Sequence, residues 1–139
     1  MLSRKILTSI PRAIRTLRKL SVGILKNDLT FQQFRILMLA SEGMGQTQMS
    51  QTMQVSMAAV SKIVDQLVKK GLLIREAGAD RRCYHLKPSR EGEKIRKKVE
   101  SEVGRQLERQ FKKLSNKEQK ELEKGLEVLN KLMGLLNDQ

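Results

Sequence analysis

Residues Thr47 to Gly71 read TQMSQTMQVSMAAVSKIVDQLVKKG, and LLIREAGADRR follows to Arg82. Met49 and Met53 are the apolar pair of a first short helix. Val55, Val60, Ile63, Val64, Leu67 and Val68 recur at three- and four-residue steps and form one face of a second. Ser56 is a suitable start for that second helix, because its hydroxyl can accept from an early backbone N–H. Lys69, Lys70 and Gly71 are a stop: cations at the negative end of the helix dipole, then a residue free to turn. A short helix, a tight turn and a longer helix make a helix-turn-helix, whose second helix can lie in a DNA major groove.

The next segment extends this plan. Leu72-Leu73-Ile74 and Cys83-Tyr84-His85-Leu86 are short apolar runs around the polar stretch Glu76 to Arg81, so a β-hairpin is expected. Its loop exceeds a two-residue turn and can protrude. A protruding hairpin tipped with Arg81 and Arg82 after a helix-turn-helix is a wing, and arginine suits the enhanced negative potential of a narrow minor groove.

Upstream, Thr30 and Gln33 form a capping box for a helix rich in Phe31, Phe34, Ile36, Leu37 and Leu39. That helix is expected at the centre of the core, ending in the two-glycine stretch Ser41 to Gly45. Before it, Met1 to Asn27 has no acidic residue. Ile10, Ala13, Ile14, Leu17, Leu20, Ile24 and Leu25 fall on one helical stripe, with Arg12, Arg15, Arg18 and Lys19 around it. Pro11 fits the first turn of this helix better than its middle. Organelle transit peptides share this composition, but so long a stripe favours a helix of the fold, embedded against a partner helix.

Downstream, Ser89 opens a helix with Ile95, Val99, Val103, Leu107 and Phe111 at four-residue steps. Ser115 to Glu118 is a capping box for the last helix, striped by Leu122, Leu126, Leu129, Leu132, Met133 and Leu136. These helices are too long to be covered by so small a body. With the N-terminal helix they are expected to form a dimer interface. A two-fold pair would place two recognition helices at symmetric sites on a duplex.

Composition narrows the function classes. The 139 residues carry a net charge of +13, with 39% apolar and 3% aromatic residues. Self-repulsion of that size opposes compaction, so a polyanionic partner is expected, nucleic acid ahead of a membrane surface. No run is long enough to span a bilayer. One cysteine, Cys83, excludes an internal disulfide framework, and one histidine, His85, cannot build a metal cluster or a catalytic relay. No phosphate- or dinucleotide-binding glycine pattern is present. Neither an enzyme nor a cofactor is expected.

With these residues in view, the chain resembles the MarR family of transcriptional regulators, winged helix-turn-helix dimers. The resemblance covers nearly the whole chain and is most specific from Val55 to Gly92. VSMAAVSKIVDQLVKKGLLIREAGADRR is similar to the family's recognition helix, strand and wing without a gap. Asp80-Arg81-Arg82 matches the wing motif. The family's Leu-Thr-x-x-Gly falls on Pro88-Ser89-Arg90-Glu91-Gly92, with Ser in place of Thr and Pro in place of Leu.

The resemblance implies a mainly α fold with a small β-hairpin wing. Residues 1–29 are its N-terminal dimerisation helix, 30–92 its DNA-binding region and 93–139 its C-terminal dimerisation helices, in one structural domain overall. It implies a homodimer on double-stranded DNA at a pseudo-palindromic operator, with recognition helix 56–70 in the major groove and wing 75–83 in the minor groove. The mode is repression by occupancy, in the cytoplasm at the nucleoid, with no membrane role. The implied DNA-contacting residues are Thr47, Gln48, Ser56, Met57, Ala58, Ala59, Ser61, Lys62, Arg81 and Arg82. Asp65 and Asp80 would position the wing, Asp65 by pairing with Arg82. As an ordinary surface ion pair, that contact contributes at most about 1 kcal/mol. Gln66, Lys69 and Lys70 lie farther along, toward the DNA backbone or solvent.

Two departures carry information. None of Ser56, Met57, Ala58, Ala59, Ser61 and Lys62 is Arg, Asn or Gln, the bidentate readers of guanine and adenine. Modest base discrimination and strong dependence on phosphate contacts follow, with a low-specificity architectural DNA-binding protein as the alternative. Gln54 stands where glycine is common in such turns, and a left-handed backbone there costs a non-glycine residue about 1 kcal/mol. Many relatives also bind a small aromatic ligand between the DNA-binding lobe and the dimer helices. Here the walls of such a pocket would be aliphatic and methionine-rich, with Phe31, Phe34 and Phe111 favoured as core. Cys83 lies in the wing strand, away from the reactive thiol of oxidant-sensing relatives, so that role does not transfer.

Overall fold

A computed structural model describes residues 1–78 and 84–138. Along the chain come α1 (Leu2–Leu25), α2 (Phe31–Ser41), α3 (Gln46–Met53), α4 (Met57–Lys69), β1 (Leu73–Ala77), β2 (Tyr84–Pro88), α5 (Arg90–Phe111) and α6 (Asn116–Asn137). The chain divides into two compact units, Met1–Val103 and Gly104–Gln139, with the boundary inside α5. The expected class is borne out: a mainly helical winged helix-turn-helix with one antiparallel hairpin.

The first unit is built on α2. Thr30 Oγ1 accepts from the Gln33 N–H at 3.1 Å, and Gln33 Oε1 accepts from the Thr30 N–H at 3.1 Å. This capping box satisfies two N-terminal donors that the helix cannot satisfy itself. Ile36 and Leu37 are fully buried, and Phe34, Leu39 and Ala40 nearly so. Against them pack Met49 of α3, Val60, Val64 and Leu67 of α4, Leu73 and Leu86 of the hairpin, and Val99 of α5. The core is aliphatic, as the scarcity of aromatic residues requires. Phe34 is in it, and Phe31 packs half-buried against it.

Two sequence expectations need correction here. Helix α1 does not begin near Pro11 but at Leu2, with Pro11 inside it. Proline forfeits one backbone bond there. The flanking turn is exposed (Leu7 is 73% accessible), so water can satisfy the freed carbonyl. The hairpin is also longer than the apolar runs. Glu76, read as loop, is in β1 opposite His85, and Pro88 closes the ladder opposite Leu73. Period-2 patterning was a poor guide because both faces of β1 beyond Leu73 are exposed, so nothing selects apolar residues there.

Gly92 explains how α5 meets this unit. A Cβ there would fall 2.2 Å from the Leu72 carbonyl oxygen and 3.1 Å from Leu37 Cδ1. Ser89, just before the helix, donates its hydroxyl to the Gly71 carbonyl at 2.6 Å and accepts from the Gly92 N–H at 3.1 Å. Its own N–H donates to the Leu72 carbonyl at 3.0 Å. The start of α5 is thereby fastened to the turn that ends α4.

In the second unit, Ser115 Oγ accepts from the Glu118 N–H at 3.0 Å and Glu118 Oε1 accepts from the Ser115 N–H at 2.9 Å, the capping box read from the sequence. Gln119 Nε2 donates to the Phe111 and Leu114 carbonyls, at 2.8 and 3.2 Å, and so fixes the turn between α5 and α6. No described residue of α6 is buried. Among the described residues no helix is long and apolar enough to cross a membrane, and no group of three or more metal-ligating side chains is assembled.

Candidate nucleic-acid interface

The turn between α3 and α4 is held by one side chain. Gln54 is left-handed (φ 55°, ψ 45°), the conformation for which glycine is common in such turns, and its N–H donates to the Ser50 carbonyl. The Val55 N–H donates to the same carbonyl at 3.2 Å, and the Ser50 hydroxyl donates to the Val55 carbonyl at 2.6 Å. Ser50 therefore ties both strands of the turn. In the sequence Ser50 carries no positional signal, because a serine inside a helix is not marked out until its partner is known.

On α4, Ser56 is the cap, accepting from the Ala59 N–H at 3.1 Å. Val60, Val64 and Leu67 anchor the inner face. Ser56, Met57, Ala58 and Lys62 are exposed on the outer side, and Ala59 and Ser61 are half-buried. Thr47 and Gln48 are exposed at the start of α3, where Gln48 Oε1 accepts from the Gly45 N–H at 3.4 Å. Ser61 reaches across to α3: its hydroxyl donates to Gln46 Oε1 at 3.1 Å. Gln46 was not among the residues singled out from the sequence.

Gln66 and Lys70 are exposed, and each also bonds to another part of the fold. Gln33 Nε2 donates to Gln66 Oε1 at 3.1 Å, and Lys70 Nζ donates to the Asp28 carbonyl at 3.3 Å. Both hold α4 against the start of α2 and the turn before it, a role that helical periodicity could not assign to polar residues.

Asp65, expected to position the wing, forms its ion pair with Arg75 of β1. Arg82, the partner expected from the sequence, lies with Asp80, Arg81 and Cys83 outside the described residues. The Asp65–Arg75 pair links the recognition helix to the first wing strand directly. Across the hairpin, Lys87 Nζ lies 2.5 Å from Glu76 Oε1. The hydrogen bond from Lys87 holds the Glu76 carboxyl below the usual carboxylate range, and the nearby charge of Lys87 adds to it.

A helix with a packed inner face and an exposed outer face, followed by a two-stranded wing, has the plan of a winged helix-turn-helix. A family model described as "MarR family" matches residues 29–84. No curated protein matches the chain significantly by sequence.

Solved structures extend the similarity over the whole chain. A MarR family protein from Bacillus stearothermophilus is 24% identical, with a TM-score of 0.78 over 96% of this chain and 99% of that one. MarR of Staphylococcus aureus, solved with salicylate and kanamycin, is 21% identical, with a TM-score of 0.76 over 100% and 95%. FabT of Streptococcus pneumoniae, solved in complex with DNA, is 22% identical, with a TM-score of 0.71 over 96% of each.

Proposed function

We propose that the protein is a homodimeric regulator that occupies a pseudo-palindromic site on double-stranded DNA and represses transcription by occupancy, in the cytoplasm at the nucleoid. Recognition helix 56–70 enters the major groove and wing 75–83 the minor groove. Thr47, Gln48, Ser56, Met57, Ala58, Ala59, Ser61 and Lys62 meet the duplex from the two helices, and Arg81 and Arg82 from the wing. The observation that carries this reading is the two-sidedness of α4: Val60, Val64 and Leu67 are fully buried while Met57, Ala58 and Lys62 face outward. The S. pneumoniae relative bound to DNA supports it.

The dimer is supported by apolar side chains left uncovered on the terminal helices. On α1, Leu2, Leu7 and Ile14 are 74, 73 and 59% exposed, and on α6, Val128, Leu135 and Leu136 are 55, 60 and 52% exposed. So much accessible apolar surface is costly in water, and a second copy covers it at no loss of symmetry. A small aromatic or other ligand that modulates DNA binding belongs to the same reading, supported by the salicylate-bound S. aureus relative.

Selection of bound fragments from a random duplex pool, at stated salt, tests the whole. A preferred two-fold sequence bound at least about 10³ times tighter than random DNA is the expected result. A ratio near one favours the second reading, an architectural DNA-binding protein, for which the absence of Arg, Asn and Gln among Ser56, Met57, Ala58, Ala59, Ser61 and Lys62 speaks. A steep fall of log K with log salt is expected in either case, because phosphate contacts release counterions.

A further inference from the structure

From Gly43 to Ser61 the chain has no charged residue, although its net charge is +13. The surface presented by α3, the turn and the start of α4 is therefore neutral. Ser56, Met57, Ala58 and Ala59 open α4, and none can make the paired hydrogen bonds that single out one base. A side chain that can stands beside them. Gln46, the first residue of α3, is half-buried, and its amide oxygen accepts the Ser61 hydroxyl at 3.1 Å. Ser61 lies one turn beyond Ala58 on the same side of α4. Ala58, exposed there, offers only a methyl group. Of the neighbouring glutamines, Gln48 is in the capping box of α3, Gln54 makes the left-handed turn, and Gln51 is exposed on α3 without a contact to α4 of the kind Gln46 makes.

We propose that Gln46 is the specificity-determining residue, its amide pairing with one adenine in each half-site, and that Ser61 is the positioning residue that orients the amide. The proposal rests on the DNA-binding reading above and supplies a bidentate reader of adenine, which no residue from Ser56 to Lys62 can be. The amide oxygen has two lone pairs. One takes the Ser61 hydroxyl, and the other takes an N6–H of adenine while the amide NH₂ donates to N7. Ser61 fixes the amide before DNA arrives, which reduces the ordering cost on binding. Such a reader adds sequence preference without adding charge, so it leaves the salt dependence as it is.

The test measures the full-length protein against duplexes carrying each base at every position of its selected site. A wild type with no preferred sequence overturns both this proposal and the regulator reading. With a preferred site, Gln46→Ala is expected to flatten the preference at one adenine per half-site by about 5- to 150-fold, with the rest of the profile unchanged. Gln46→Met, which keeps the length and lacks the amide, should do the same, and circular dichroism checks that both variants fold. Gln46→Glu keeps an acceptor for Ser61 but loses the donor. It is expected to turn the preference at that position from adenine toward cytosine, whose N4 amino group donates. Ser61→Ala should weaken the same preference in part, and Ser61→Thr should restore it. A uniform loss across all sequences in the Gln46 variants, or no change, overturns the proposal and leaves the regulator reading standing.

Discussion

Helices α4 and α6 carry the same kind of apolar spacing and end in opposite surroundings. On α4, Val60, Val64 and Leu67 are fully buried. On α6, Leu122 and Leu126 keep 46 and 51% of their surface, and no described residue of the helix is buried. The difference is in the neighbours. Around α4 the chain folds α2, α3 and a hairpin through short turns, each fastened by a named bond. Within its own unit α6 has only the end of α5. An apolar stripe therefore shows that a helix needs cover, and says nothing about which chain supplies it.

The sharpest way to break the contrast is to remove one leucine from each region. Leu37→Ala, at a fully buried position, is expected to cost about 2–5 kcal/mol, from lost transfer energy and the cavity left behind. Urea unfolding followed by circular dichroism reads it, with the midpoint shifted and the slope retained. Leu126→Ala, half exposed, should cost less than about 1 kcal/mol in dilute protein. Its effect should grow with protein concentration if a second copy covers α6, because association stabilises the folded state by mass action. A Leu126→Ala cost that is large and independent of concentration would show that the chain covers α6 by itself.

Next comes the joint at the start of α5. Gly92→Ala puts a methyl group 2.2 Å from the Leu72 carbonyl oxygen, a backbone atom that cannot swing aside. A loss of about 1–3 kcal/mol is expected, together with weaker DNA binding, since the same carbonyl accepts the Ser89 N–H that fastens α5 to the turn after α4. Gly104→Ala, on the same helix with nothing near its Cβ, is the control and should be neutral or slightly stabilising. Equal losses at both sites would remove the close approach as the cause.

Much of this was legible in the sequence, and the limits have physical causes. Caps at Thr30, Ser56 and Ser115 are local and were read correctly, because a side chain and an N–H three residues on meet in any helix that forms. The helix-turn-helix was legible from periodicity and the hairpin from two short apolar runs around a polar stretch, and the family model covers most of that segment. What escaped were bonds between elements: Ser61 to Gln46, Gln33 to Gln66, Lys70 to the Asp28 carbonyl and Asp65 to Arg75. Polar residues have no period that betrays their partner, so these pairs become readable only once the packing is known.

Caps give a smaller and more even comparison between the two units. Ser56→Ala removes the acceptor for the Ala59 N–H and should cost about 1 kcal/mol of global stability. Ser115→Ala removes the corresponding acceptor on α6, where the Glu118 bond to the Ser115 N–H can persist. Its loss should show as faster hydrogen exchange in the first turn of α6 rather than as a shift of the main transition. A shared transition shifted equally by both would mean that the two units unfold as one.

The finest test concerns two turns with the same need and different geometry. Lys26, after α1, and Gln54, after α3, are the described non-glycine residues with positive φ. Lys26 (φ 54°, ψ −121°) lies outside the left-handed well, where a Cβ is poorly tolerated, whereas Gln54 (φ 55°, ψ 45°) lies inside it. Glycine relieves the strain in each case but adds roughly 0.5–1 kcal/mol of unfolded-state entropy to be lost on folding. At Lys26 the relief is larger than that cost, so Lys26→Gly should stabilise by about 1 kcal/mol. At Gln54 the two nearly cancel, and Gln54→Gly should gain no more than about 0.5 kcal/mol. The order of the two gains, read from urea midpoints, is the informative result. If Gln54→Gly gained more, strain in the turn before the recognition helix would have to come from its packing and not from its φ and ψ.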